Sequence, residues 1–227
     1  MTTRRIVLMT GALLISMLSF SAHAKDDATK LAVNITADIS SVDVVHMGKR
    51  MTITRNQDEK NTIPKMFTKT SRACPPFCIQ PASLDPKVET IAELEMLDYL
   101  KKSSAGDASI LVIDARTSEW MARGTIPGSV NIPWTMLSVK GAAAWEDAAT
   151  AEEVMVDRFG VTVTDGKLDF SNAKTLVLFC NGAWCPQSTE NIKLLLKKGY
   201  PAEKLKWYRG GLQSWVSFGL STVFFKK

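Results

Sequence analysis

An α/β domain built on a mainly parallel sheet is what this chain predicts, on three observations. Two continuous apolar runs, residues 109–114 and 175–179, read as strands buried on both faces. Helical patterns recur at residues 91–100, 146–158 and 186–198. The resulting strand–helix alternation, sustained over about 140 residues, is the signature of strands joined by crossover helices.

The N-terminus reads as a targeting segment. Arg4 and Arg5 precede an apolar stretch at residues 6–20, and Ala22-His23-Ala24 supplies a small-x-small cleavage site. The expectation is a signal peptide over residues 1–24, cleaved after Ala24, and a periplasmic product with no membrane attachment. The apolar stretch is short for a bilayer span. Cleavage would leave 203 of the 227 residues and lower the formal charge from +5 to +3. That small, dispersed excess argues against nucleic acid or membrane surfaces as partners. All four cysteines lie beyond residue 24, and an exported protein can keep disulfides. The simplest pairing is local, Cys74 with Cys78 and Cys180 with Cys185. His46 would be the sole remaining histidine, which excludes a histidine-rich metal site. It sits near an expected hairpin turn and reads as a surface residue. No metal or cofactor is expected.

Residues 25–86 read as an N-terminal extension. Val42 and Val44, then Met51 and Ile53, alternate around a turn at Gly48, predicting a hairpin over residues 41–55. Cys74-Pro-Pro-Phe-Cys78 follows, and Pro75, Pro76 and Pro81 forbid regular helix or central strand there. Cys74 and Cys78 have two readings: a structural disulfide closing a proline-rich turn, or a second redox pair docked over Cys180. The extension is expected to cover part of the main domain or shape the mouth of its site.

Residues 87–227 form the expected main domain. Ile91, Leu94, Leu97 and Leu100 recur at helical spacing, and Lys101-Lys102 suit a helix C-terminus. After the 109–114 strand comes a short helix through Glu119, Trp120 and Met121, then the 146–158 helix and an Asp165-Gly166 turn. The 175–179 strand leads to a helix over 186–198. Pro186 stands at its first turn, Ile192, Leu195 and Leu196 face inward, and Gly199 stops it. A short strand at 205–208 precedes a last helix opened by Gly210-Gly211.

Chemistry points to Cys180. A cysteine ending a strand, in a tight loop feeding a helix N-terminus, sits where backbone N–H groups and the helix dipole stabilise an anion. Both effects favour the thiolate, the nucleophilic form. Asn181, Gly182, Ala183, Trp184 and Cys185 complete the loop, and Gly182 would permit its torsions.

Three stretches in order resemble the rhodanese, or sulfurtransferase, family. They are Asp114-Ala-Arg116 followed by Gly124-Thr-Ile-Pro-Gly128-Ser-Val-Asn131-Ile-Pro133, the Cys180 loop, and Gly210-Gly211-Leu-Gln-Ser-Trp215. The resemblance implies a five-stranded, mainly parallel sheet flanked by helices. It also implies that Cys180 is the catalytic cysteine. In the family that cysteine takes a sulfane sulfur from a donor such as thiosulfate or polysulfide, as a persulfide. It then passes the sulfur to a thiophilic acceptor, a thiol or cyanide. Related phosphatases use a longer loop ending in an arginine, and this loop has neither feature.

The sequence departs from the family pattern in three places. Thr125 stands where a histidine is usual. Residues 181–185 carry no Lys or Arg, leaving an anionic donor to backbone N–H groups, Arg116 or Arg209. Cys185 adds a second thiol. It reads either as a resolving partner of Cys180 or as a small buried residue. Asp114 and Arg116 read as a buried polar network. Two other readings stay open: a thiol–disulfide redox protein using Cys180 and Cys185, with a periplasmic redox partner, and a catalytically silent binding module.

Overall fold

The computed structural model describes residues 33–138 and 150–224. The signal-peptide expectation and the first residues of the expected 146–158 helix lie outside them. The described elements, in order, are β1 (Ser41–His46), β2 (Lys49–Thr54), β3 (Glu89–Ile91), α1 (Glu93–Ser104), β4 (Ile110–Asp114) and α2 (Ser118–Ala122). They continue with β5 (Val130–Asn131), α3 (Trp134–Leu137), α4 (Ala151–Phe159), β6 (Thr162–Thr164), β7 (Lys167–Asp169) and β8 (Thr175–Phe179). The last are α5 (Gln187–Lys197), β9 (Leu205–Tyr208) and α6 (Gly211–Ser217).

The central sheet has five strands in the order β3-β9-β8-β4-β5. Every neighbouring pair in it is parallel. Strand β8 occupies the centre, and its side chains alternate between two cores. Val177 and Phe179 join one cluster with Leu97, Leu100, Val112 and Trp215. Leu176 and Leu178 join the other with Ile113, Phe159, Ile192 and Trp207. A period of two on a strand covered on both faces gives a continuous apolar run, which is why the strand was readable.

The hairpin forms as expected, with Ser41 opposite Thr54 and His46 opposite Lys49. Its two-residue turn places both Met47 and Gly48 at positive φ, the geometry that matches strand twist. Val42, Val44 and Ile53 then pack into the same cluster as Val177 and Phe179. The extension and the sheet therefore share one core.

Three expectations need correction. Ile91 ends strand β3 instead of opening a helix, and α1 turns Met96, Leu97 and Leu100 inward while Leu94 is exposed. The helix begins at Glu93, two residues after Ile91, and Leu94 lies in its first turn, off the stripe formed by Met96, Leu97 and Leu100. Pro186 caps α5 from one position before its first residue. The expected Asp165-Gly166 turn forms and closes a second small hairpin, β6–β7, over residues 162–169. His46 is buried at 6% exposure, and the Gly128 N–H donates to its Nδ1 at 3.1 Å. His46 lies on the inward face of β1 with Val42 and Val44, while Met47 at the tip is exposed. Burial lowers its pKa.

Candidate active site

Cys180 follows directly on β8, at the carboxyl end of the central strand. Parallel sheets place their sites in this crevice, where strands end and helices begin. The loop from Asn181 to Pro186 then turns back on itself, with the Cys185 N–H donating to the Gly182 carbonyl at 2.9 Å. This turn brings Cys185 to Cys180. The two sulfurs lie at bonding distance and the Cα atoms are 6.1 Å apart. Both cysteines are 2% exposed. Gln187, in the first turn of α5, sets its Oε1 3.4 Å from Cys180 Sγ and 3.8 Å from Cys185 Sγ.

Three groups hold the loop. The N-terminus of α6 donates to its carbonyls, Leu212 N–H to Cys180 O at 2.9 Å and Gln213 N–H to Asn181 O at 2.8 Å. This contact explains the Gly210-Gly211 pair. Gly211 has φ +56, and a Cβ there would overlap the Cys180 carbonyl. The carbonyls of Cys180 and Asn181 thus face α6. The N–H groups of Gly182, Ala183 and Trp184 donate to no acceptor among the described residues. Donors of this kind are what a thiolate or persulfide requires. Gly182 itself has no left-handed torsion, contrary to its expected role. A Cβ there would meet Gln213 Oε1 at 2.9 Å and Trp184 Nε1 at 3.0 Å, so this hydrogen-bonded pair would have to shift to admit one.

Second comes the network under the loop. Asp114 and Arg116 are fully buried and paired by two contacts, Arg116 Nε to Oδ1 at 2.9 Å and Nη2 to Oδ2 at 2.6 Å. Arg116 Nη1 donates to Asn181 Oδ1 at 3.2 Å, and Nη2 also reaches the Gly124 carbonyl at 2.7 Å. Thr125, at the position usually histidine, donates its hydroxyl to Asp114 Oδ2 at 2.6 Å. The guanidinium is thus occupied by protein acceptors. It positions Asn181 and the loop.

Third is the extension. The Gln80 N–H donates to the Ala183 carbonyl at 2.8 Å, and Thr189 Oγ1 donates to Gln80 Oε1 at 3.1 Å. Arg209 donates from Nε to Pro81 O and from Nη2 to Gln80 O, both at 2.8 Å. Its guanidinium therefore fastens the extension. Cys74 and Cys78 are at bonding distance, with Cα atoms 4.7 Å apart. Between them Phe77 stands edge-on to Trp184, ring centroids 5.7 Å apart.

Sequence reasoning missed Arg72. Its guanidinium carbon lies 3.7 Å from the Trp184 ring centroid, while Trp184 Nε1 donates to Gln213 Oε1 at 2.6 Å. Arg72 Nε and Nη2 are buried without a hydrogen-bond partner among the described residues. The extension brings to the loop a cation that residues 181–185 lack. No local pattern marks Arg72. Only the fold of the proline-rich turn brings it to Trp184.

Beside the loop is a cleft of about 640 Å³, whose lining includes Pro76, Phe77, Trp134, Gln187, Asn191 and Leu194. Trp134 Nε1 and Asn191 Nδ2 are buried there without acceptors among the described residues. Gln187 belongs both to this cleft and to the contacts around the two sulfurs. No cluster of side chains able to hold a metal occurs among the described residues.

Residues 96–218 match the family model of the rhodanese-like domain, and the chain belongs to that family. Solved structures give more distant likenesses. A rhodanese from E. coli, determined with anions, is 19% identical over 51% of this chain and 99% of its own, with a TM-score of 0.28. A rhodanese-related protein from Thermoplasma volcanium is 17% identical over 60% of this chain and 99% of its own, with a TM-score of 0.34. A Bacillus halodurans protein is 15% identical over 60% of this chain and 77% of its own, with a TM-score of 0.39. The search of curated proteins finds no match.

Proposed function

We propose that the protein is a sulfurtransferase that carries a sulfane sulfur as a persulfide on reduced Cys180. The observation that carries this reading is the loop itself: a cysteine following the central strand of a rhodanese-family domain, with the Cys180 and Asn181 carbonyls turned to α6 and the N–H groups of Gly182, Ala183 and Trp184 without an acceptor among the described residues. The Cys180 thiolate attacks the outer sulfur of the donor and the remainder departs with the bonding electrons. A thiol or cyanide acceptor then takes the sulfur. Arg72 supplies positive charge for an anionic donor such as thiosulfate or polysulfide, and the neighbouring cleft admits donor or acceptor. We place this activity in the periplasm, on the strength of the sequence of residues 1–24. No helix among the described residues is long and apolar enough to cross a membrane.

The test is to incubate reduced protein with thiosulfate, measure mass, and follow thiocyanate formation on adding cyanide. Gain of one sulfur in a Cys185→Ser background, where no second loop thiol can take it, is expected, and it should disappear when Cys180→Ser is added. Equal behaviour of the wild type and Cys180→Ser would overturn the reading. The bonding distance between Cys180 and Cys185 favours a second activity at the same loop, thiol–disulfide exchange.

A further inference from the structure

Cys185 is the feature that a simple sulfur carrier leaves unused. A carrier must hold its persulfide until an acceptor arrives, yet here a second sulfur lies within bonding reach of the first. Neither cysteine is in a flexible segment. Cys180 is fixed by β8 and α6, and Cys185 by the Gly182 turn and by Pro186 at the start of α5. Both sulfurs are enclosed, and Gln187 Oε1 lies close to each. A preset intramolecular nucleophile acts with an effective concentration of order 10⁵ M or more, far above any dissolved thiol or cyanide.

We propose that Cys185 resolves the Cys180 persulfide and releases hydrosulfide, which makes the protein a sulfane-sulfur reductase. The inference rests on persulfide formation at Cys180. The Cys185 thiolate attacks Cys180 Sγ, the inner sulfur of the persulfide. The bond from Cys180 Sγ to the outer sulfur breaks, the outer sulfur leaves as HS⁻, and the Cys180–Cys185 disulfide forms. The transferred sulfur gains two electrons and the two cysteines lose two. A second reactant, a small or protein dithiol, restores both thiols by exchange and becomes a disulfide itself. With thiosulfate as donor, one thiosulfate and one dithiol give one sulfite, one hydrogen sulfide and one disulfide. The bonded cysteine pair in this structure is the state reached after sulfide departs.

The test uses the full protein, reduced, freed of reductant without air, and mixed with thiosulfate. The wild type is expected to release one sulfide per chain. It should then stop with its mass lowered by two hydrogens and Cys180 joined to Cys185. Added dithiol should restart release. Cys185→Ser should instead accumulate the extra sulfur on Cys180 and release less than about a tenth as much sulfide. Cys185→Ala repeats the comparison without a hydroxyl. If the wild type holds its persulfide as long as these variants do, the reductase inference fails while the transferase reading stands. If neither the wild type nor the variants gain sulfur or release sulfide, both fail.

Discussion

Arg116 and Arg72 put the same side chain to opposite uses. Arg116 commits its guanidinium to Asp114, Asn181 and the Gly124 carbonyl, all within a buried network. Removing one member of such a buried pair costs about 3–5 kcal/mol, because the other charge stays behind. Arg72 stacks on the Trp184 face, with Nε and Nη2 unpartnered among the described residues. Charge-assisted contacts are worth roughly 1.5–3 kcal/mol, so Arg72→Ala should raise the KM for thiosulfate about tenfold or more. Initial rates of thiocyanate formation check this, and Arg72→Lys should recover part of the loss. His46 offers a pH test. Its folded pKa lies below the 6.5 of an ordinary histidine because burial disfavours the imidazolium. The stability it contributes is therefore complete above 6.5 and is lost as pH falls through the folded value. Urea midpoints of the wild type should drop between pH 7 and 5 more steeply than those of His46→Asn, whose amide oxygen can still accept from Gly128.

At the level of elements, the segment between β2 and β3 has no regular structure beyond a single turn at Lys65–Phe67. Side chains from α6 and from the residue just after β9 hold it. Gln213 Nε2 donates to the Phe67 carbonyl at 3.1 Å, and Arg209 donates to Gln80 and Pro81. Arg209→Ala should release the second hold. Hydrogen exchange of the Gln80 amide, bonded to Ala183, should quicken about tenfold while β8 amides keep their protection. Strands β4 and β8 and helix α5 were legible because burial on both faces, a proline and a glycine mark them in the chain. Strands β3 and β5, of three and two residues, are too short to show any period. They exist because β9 and β4 offer free edges. Cys180 and its loop were legible for the same local reasons. Arg72, the Gly211 contact and the role of Arg209 were not, since each depends on residues that meet only after folding.

For the molecule as a whole, the shared core is the governing fact. Ile53 is fully buried on the hairpin, in one cluster with Leu100, Val112 and Phe179. Ile53→Ala should cost about 2–5 kcal/mol of global stability. Urea unfolding should still follow one transition, seen alike by far-UV dichroism and by reactivity of the reduced cysteines. A hairpin that unfolded separately would show two. Each face of the sheet has its own cluster, yet both β8 and β4 contribute to the two. The site at their carboxyl ends is thus anchored from both sides.

Two holds on the extension, at Phe67 and at Gln80, come from residues close together in sequence, Gln213 and Arg209. Arg72, Cys74 and Phe77 all lie on the stretch strung between them. The number of residues in that stretch is then itself a functional variable. A two-residue deletion there would leave every catalytic side chain present and the core untouched. It would still draw Arg72 off Trp184, because a chain tied at both ends cannot lose length without moving what it carries.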